Sequence, residues 1–151
     1  MELWKRDANL KRSTIPYFNS WTWNWFCSFN LGNRNHSEAE RLLRIWRRDE
    51  AKRCHIQIAC MGVYNTLPQP HVHLVALGHN RFGANLLTVD HKECEASWRK
   101  LTHLDAKIIP ILDDEAQEVI VSYVVNKNMP WERSELVWEY NGNLLKKSKI
   151  R

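Results

Sequence analysis

The 151-residue chain is 44% hydrophobic and 26% charged, with a formal net charge of +5. This fits one globular domain with its own core, not a disordered chain. No apolar stretch reaches the roughly 18 residues a membrane span needs and no signal peptide opens the sequence, so a cytoplasmic, non-membrane protein is expected. The positive balance favours a polyanionic partner. Four scattered cysteines (Cys27, Cys54, Cys60, Cys94) form no CxxC pair and read as reduced cytosolic thiols, not a staple framework or zinc knuckle.

Residues 1–20 are mixed and polar, with Lys5, Arg6, Lys11 and Arg12, and read as a flexible arm before a domain spanning 21–140. Trp21 to Leu31 alternates enough for a strand, with Trp21, Trp23 and Trp25 on one face. Ser37 is the expected N-cap of an amphipathic helix over about 37–53, with Glu38 and Glu40 early and Arg47, Arg48 and Lys52 late, as the helix dipole prefers. Its Arg44, Arg47 and Arg48 are candidate phosphate contacts; a solvated basic face is the plain alternative. His55 to Val63 reads as a second strand, Asn65–Pro70 as a turn, and His71–Gly78 as a third strand antiparallel to the second.

Arg81 in the following loop is a further candidate DNA contact. Glu93–Leu101 suggests a helix and Ala106–Leu112 a fourth strand. Asp113 or Asp114 caps a helix running to about Asn128, where Pro130 stops it. Ser134–Tyr140 is a last strand, and residues 141–151 a basic tail with Lys146, Lys147, Lys149 and Arg151. The order β-α-β-β-α-β-α-β, with a tight hairpin between strands two and three, predicts an α+β domain: a mainly antiparallel sheet of about five strands with helices on its faces. Eight tryptophans are many for this length. Most fill the core, and others can stack on unpaired bases.

The chemistry gathers in two segments. His71 and His73 are i and i+2 on a strand, so both imidazoles leave the same face and can reach one divalent metal. Tyr123 and Lys127 are i and i+4 on a helix, one turn apart on one face. A tyrosine is a nucleophile once a nearby cation or metal favours its phenolate, and a lysine one turn away supplies positive charge. A metal on the histidines would polarise a phosphoryl group. Lewis acid, nucleophile and cation are the parts that phosphodiester transesterification needs. Each residue also has a bland reading: a core tyrosine, a solvated lysine, an incidental histidine pair.

In this order the motifs resemble the nicking domain of the HUH endonucleases, within the branch of rolling-circle replication initiators (Rep). The residues that carry the resemblance are the aromatic strand Trp25-Phe26-Cys27-Ser28-Phe29-Asn30-Leu31, the pair His71-Val72-His73, and Tyr123-Val-Val-Asn-Lys127. The resemblance spans roughly residues 20–140. It implies a single-tyrosine DNA endonuclease with Mg²⁺ or Mn²⁺ as cofactor, in which Tyr123 attacks single-stranded DNA at a replication origin. A 5′-phosphotyrosyl intermediate would form, and a free 3′-OH would be released to begin rolling-circle replication. Lys127 would help position the tyrosine or the phosphate. The implied partners are origin DNA, a host polymerase and a helicase, in the host cell of a plasmid, phage or virus.

The chain departs from the family at the third metal ligand, commonly a Glu on the strand before the pair. Here that strand reads HIQIACMGVY, without a carboxylate. Gln57 is the candidate, with His55 next, and Glu40 or water after them. A single-tyrosine transposase or relaxase is a neighbouring alternative: relaxases normally carry a third histidine, and transposases often have Gln where this chain has Lys127. A nucleic-acid-binding module with a vestigial metal site is the alternative outside the enzymes. Phosphoesterases with three alternating histidines would need one at Val75.

Overall fold

The computed structural model describes residues 15–66, 68–127, 134–140 and 142–150. In chain order the elements are β1 (Trp25–Asn30), α1 (His36–Cys54), β2 (Gln57–Asn65), β3 (His71–His79), a short 3₁₀ turn (Leu86–Thr88), α2 (His91–Thr102), β4 (Ala106–Pro110), α3 (Asp114–Lys127), β5 (Ser134–Tyr140) and α4 (Gly142–Ser148). The strands form one sheet in the order β4-β1-β3-β2-β5 with every neighbouring pair antiparallel, so the molecule is α+β with a five-stranded sheet. Among the described residues no helix is long and apolar enough to cross a membrane.

Helices cover both faces of the sheet, which explains why β2 and β3 read as continuous apolar runs instead of alternating ones. On one face Cys27, Phe29, Cys60 and Leu74 pack against Leu43 and Trp46 of α1 and Cys94 and Trp98 of α2. Phe29 lies 4.9 Å from Trp46 and 4.6 Å from Trp98 between ring centroids, an aromatic cluster whose pairs add about 0.5–1.5 kcal/mol each beyond their area. On the other face Phe26, Met61, Val63 and Val75 pack against Val121, Val124 and Val125 of α3, Leu144 and Leu145 of α4, and Phe18, Trp21 and Trp23.

The boundaries differ from the sequence reading where side chains take over backbone duties. Asn35, not Ser37, caps α1, its Oδ1 accepting the Glu38 N–H at 2.9 Å. His55 ends that helix in the left-handed conformation at φ 57° and is consumed by the chain reversal, so β2 runs from Gln57 to Asn65 instead of 55–63. Asp90 caps α2, which starts earlier than Glu93.

Trp21 and Trp23 are not strand residues sharing a face with Trp25. The Trp23 N–H donates to Gln117 Oε1 of α3 at 2.8 Å, which pulls this segment onto the second face, whereas Trp25 belongs to the first. Residues 1–14 of the expected arm lie outside the described residues, but Ile15 and Phe18 already pack into the domain. The expected tail contains α4, whose Leu144 and Leu145 are buried and whose Leu145 carbonyl accepts the Trp21 Nε1–H at 2.7 Å. The expected stop at Pro130 lies outside the described residues.

Candidate active site

Strand β3 presents His71 and His73 from the face that α3 covers, their ring centroids 4.8 Å apart. α3 buries Gln117, Val121, Val124 and Val125 at helical spacing, which leaves Tyr123 on its flank. The Tyr123 ring stacks on His73 at 5.8 Å with an interplanar angle of 19°. Phe26 closes the third side, edge-on to His73 at 5.6 Å and to Tyr123 at 6.2 Å. Residues far apart in the chain thus converge on one corner of the sheet. His73 is buried, whereas Tyr123 is 48% exposed, so its phenol can meet a ligand from solvent.

A backbone contact orients the first of these rings. His71 Nδ1 lies 2.7 Å from the Gln69 carbonyl, which can only accept, so Nδ1 carries the proton and Nε2 is left as a donor for a metal. Gly62, paired with Leu74 and facing the other side of the sheet, lies where a Cβ would stand 2.6 Å from the Leu74 Cβ and 2.9 Å from the His73 carbonyl, so only glycine allows this close approach of β2 to β3.

The register identifies what else lies at this corner. Asn65 pairs with His71 and Val63 with His73, while Ser28 pairs with His73 on one side and with Lys107 of β4 on the other. Directly paired residues share a face, so the buried Asn65 flanks His71 on the α3 side of the sheet. Lys107 stands exposed two strands from His73, about 10 Å across the sheet. The sequence reading missed both. Ending β2 at Val63 made Asn65 a turn residue, and no local signal tells that β4 lies beside β1.

Gln57 does not reach the pair. It sits opposite His79, six residues along β2 from the partner of His73, roughly 20 Å away at strand spacing. There it lines a cleft with His55, Asn80, Arg81 and Lys147, so His55 and Arg81 are also remote from the pair. Glu40 is on α1, on the other side of the sheet, ion-paired with Arg44. Arg47 turns inward and donates to the Ile58 carbonyl at 3.3 Å, and Arg48 pairs with Asp49 at 3.5 Å. The arginine helix therefore faces away from Tyr123, because a helix packed on one face of a sheet cannot present its outer side to the other. Lys127 ends α3 one turn beyond Tyr123, and its side chain lies outside the described residues.

Among the described residues no further His, Cys, Asp or Glu joins His71 and His73 in a cluster of three. Two imidazoles with the Asn65 amide oxygen remain a donor set that Mg²⁺ or Mn²⁺ accepts, since such ions take oxygen ligands and keep several waters.

Fold and site together define an α+β domain whose antiparallel sheet presents a histidine pair to a tyrosine on a covering helix. No family model matches the chain, and no curated protein matches it. Among solved structures it is similar to the crystal structure of the hypothetical protein ORF119 from Sulfolobus islandicus rod-shaped virus 1. The identity is 15%, the TM-score 0.45, and the match covers 80% of this chain and 93% of that one.

Proposed function

We propose that the domain nicks and rejoins single-stranded DNA by tyrosine transesterification, as an initiator of rolling-circle replication. The observation that carries this reading is the stacking of Tyr123 on His73, beside His71, at the solvent-open edge of the α3 interface. His71, His73 and Asn65 would hold Mg²⁺ or Mn²⁺, which when bound polarises the scissile phosphate and stabilises the charge building on it. The Tyr123 oxygen attacks phosphorus and loses its proton to solvent. The P–O3′ bond breaks, the 3′ oxygen takes up a proton, and the 5′ phosphate stays on Tyr123. Phe26 packs edge-on against both rings and limits their rotation, so Tyr123 is held beside His73 before DNA arrives. Lys107 contacts a neighbouring phosphate, and Lys127, one helical turn past Tyr123, supports the nucleophile.

Incubation with single-stranded DNA and Mn²⁺, followed by denaturing electrophoresis, tests the reading. A covalent protein–DNA adduct is expected from the native chain and none from Tyr123→Phe, with excess EDTA abolishing it. Cleavage that survives Tyr123→Phe removes the tyrosine from the chemistry. DNA binding without cleavage under any metal would favour the binding-module alternative.

A further inference from the structure

On the opposite face of the sheet, the end of α1 meets the start of α2 around Glu50, Cys54 and Cys94. One potential ligand atom from each lies within 4.8 Å of the others. Glu50 and Cys54 are i and i+4, so one helix face presents both, and Cys94 comes from the first turns of α2. The Trp46 Nε1–H donates to the Cys94 carbonyl at 3.0 Å and ties the two helices together at this point.

Glu50 is 2% exposed, a costly place for a carboxylate. Its Oε2 accepts the Arg53 Nε–H at 2.6 Å, but Oε1 is buried with no hydrogen-bond partner among the described residues. Arg53 also donates to Cys94 Sγ at 3.2 Å and to Glu93 at 2.8 Å, so a guanidinium already braces two members of the cluster from outside.

We propose that Glu50, Cys54 and Cys94 form a binding site for a thiophilic divalent cation, Zn²⁺ by its chemistry, bridging α1 to α2. Two soft sulfurs and one carboxylate select Zn²⁺ over the harder Mg²⁺ or Mn²⁺ and leave a fourth tetrahedral position open. Two thiolates and a carboxylate exceed the divalent ion by one negative charge, and the Arg53 guanidinium, shared with Glu93, lies beside them. The ion occupies the side of Glu50 that no described residue satisfies. Zinc binds thiolate, so uptake of the ion displaces the thiol protons to solvent as the Zn–S bonds form.

The test titrates reduced, chelator-stripped protein with Zn²⁺ against a chromophoric competitor, and separately with Co²⁺, whose thiolate charge-transfer absorption reports sulfur ligation. One equivalent that carries this absorption is expected, and any second equivalent taken up at His71 and His73 lacks it. Cys54→Ser, a change at a half-buried position, should weaken binding by more than the roughly 10–100-fold that altering an outer partner costs, with circular dichroism unchanged. Glu50→Gln should weaken it without removing the sulfur band. The His71→Ala, His73→Ala double variant should keep both affinity and band, which separates this ion from one on the opposite face. Absence of binding to the reduced native chain would overturn the proposal, as would binding that Cys54→Ser leaves unaltered.

Discussion

At the scale of single residues, Tyr123 draws its character from its neighbours. Most helix tyrosines in such a chain would be core residues. This one lies beside a buried stripe, stacked on an imidazole and half open to solvent. Asn65 is the residue whose role the register changes most. Paired with His71, it stands beside the histidines, at the position the proposed metal site would use, whereas Gln57 stands at the far end of the same strand. Asn65→Asp should therefore tighten Mn²⁺ binding about tenfold or more, as an ionised oxygen replaces an amide, and Asn65→Ala should weaken it. Gln57→Ala should leave it unchanged. Electron paramagnetic resonance of free Mn²⁺ measures all three directly, and weakening by Gln57→Ala alone would discredit the register argument.

At the scale of elements, the placement of α3 depends on a polar clamp within an apolar interface. Gln117 is buried, accepts the Trp23 N–H at 2.8 Å and donates to the Trp21 carbonyl at 2.7 Å. These bonds join α3 to the segment before β1 and so fix how far Tyr123 reaches over His73. Gln117→Ala would leave a buried donor and acceptor unpaired, at a cost of about 1–3 kcal/mol. The urea midpoint should fall accordingly, and adduct yield should fall further than stability alone accounts for, because the helix loses its registration. An unchanged midpoint would mean that water replaces the clamp. The arginines of α1 show the opposite case: Arg44, Arg47, Arg48 and Arg53 pair in turn with Glu40, the Ile58 carbonyl, Asp49, and Glu50 with Glu93, on the other side of the sheet.

At the scale of the whole molecule, two cores share one sheet, and the core on the α1–α2 side contains ionisable sulfur. Burial pushes Cys60 up to about 12 and Cys27 well above its ordinary value near 9. Between the unfolded and folded values the native state holds protons that the unfolded chain has lost. Stability from these thiols is therefore complete below about pH 9 and falls as pH rises above it. The expected decline is about 1.4 kcal/mol per pH unit for each buried thiol, read as a falling urea midpoint between pH 9 and 11. Cys60→Ala should flatten that decline although it lowers stability at neutral pH by leaving a small cavity. A midpoint flat across this range would contradict thiol burial.

Much of the fold was legible because local rules govern its parts. Alternation placed His71 and His73 on one face, helical spacing placed Tyr123 and Lys127 on another, and the tight β2–β3 link required an antiparallel sheet. Element ends were less legible where a cap side chain or a left-handed residue such as His55 moved them. The sequence by itself determined the chemistry available: two imidazoles, a tyrosine, the arginines and four thiols at set spacings. Only the tertiary structure decided which of these meet. Strand register and the face a helix covers follow from long-range packing, so Asn65 lies beside the histidines and Lys107 on their face two strands away, while Gln57, Arg81 and the arginine helix lie elsewhere. The same packing closes Glu50, Cys54 and Cys94 into a cluster, because two helices covering one face must touch where their ends cross, and nothing in the spacing from Cys54 to Cys94 encodes that contact.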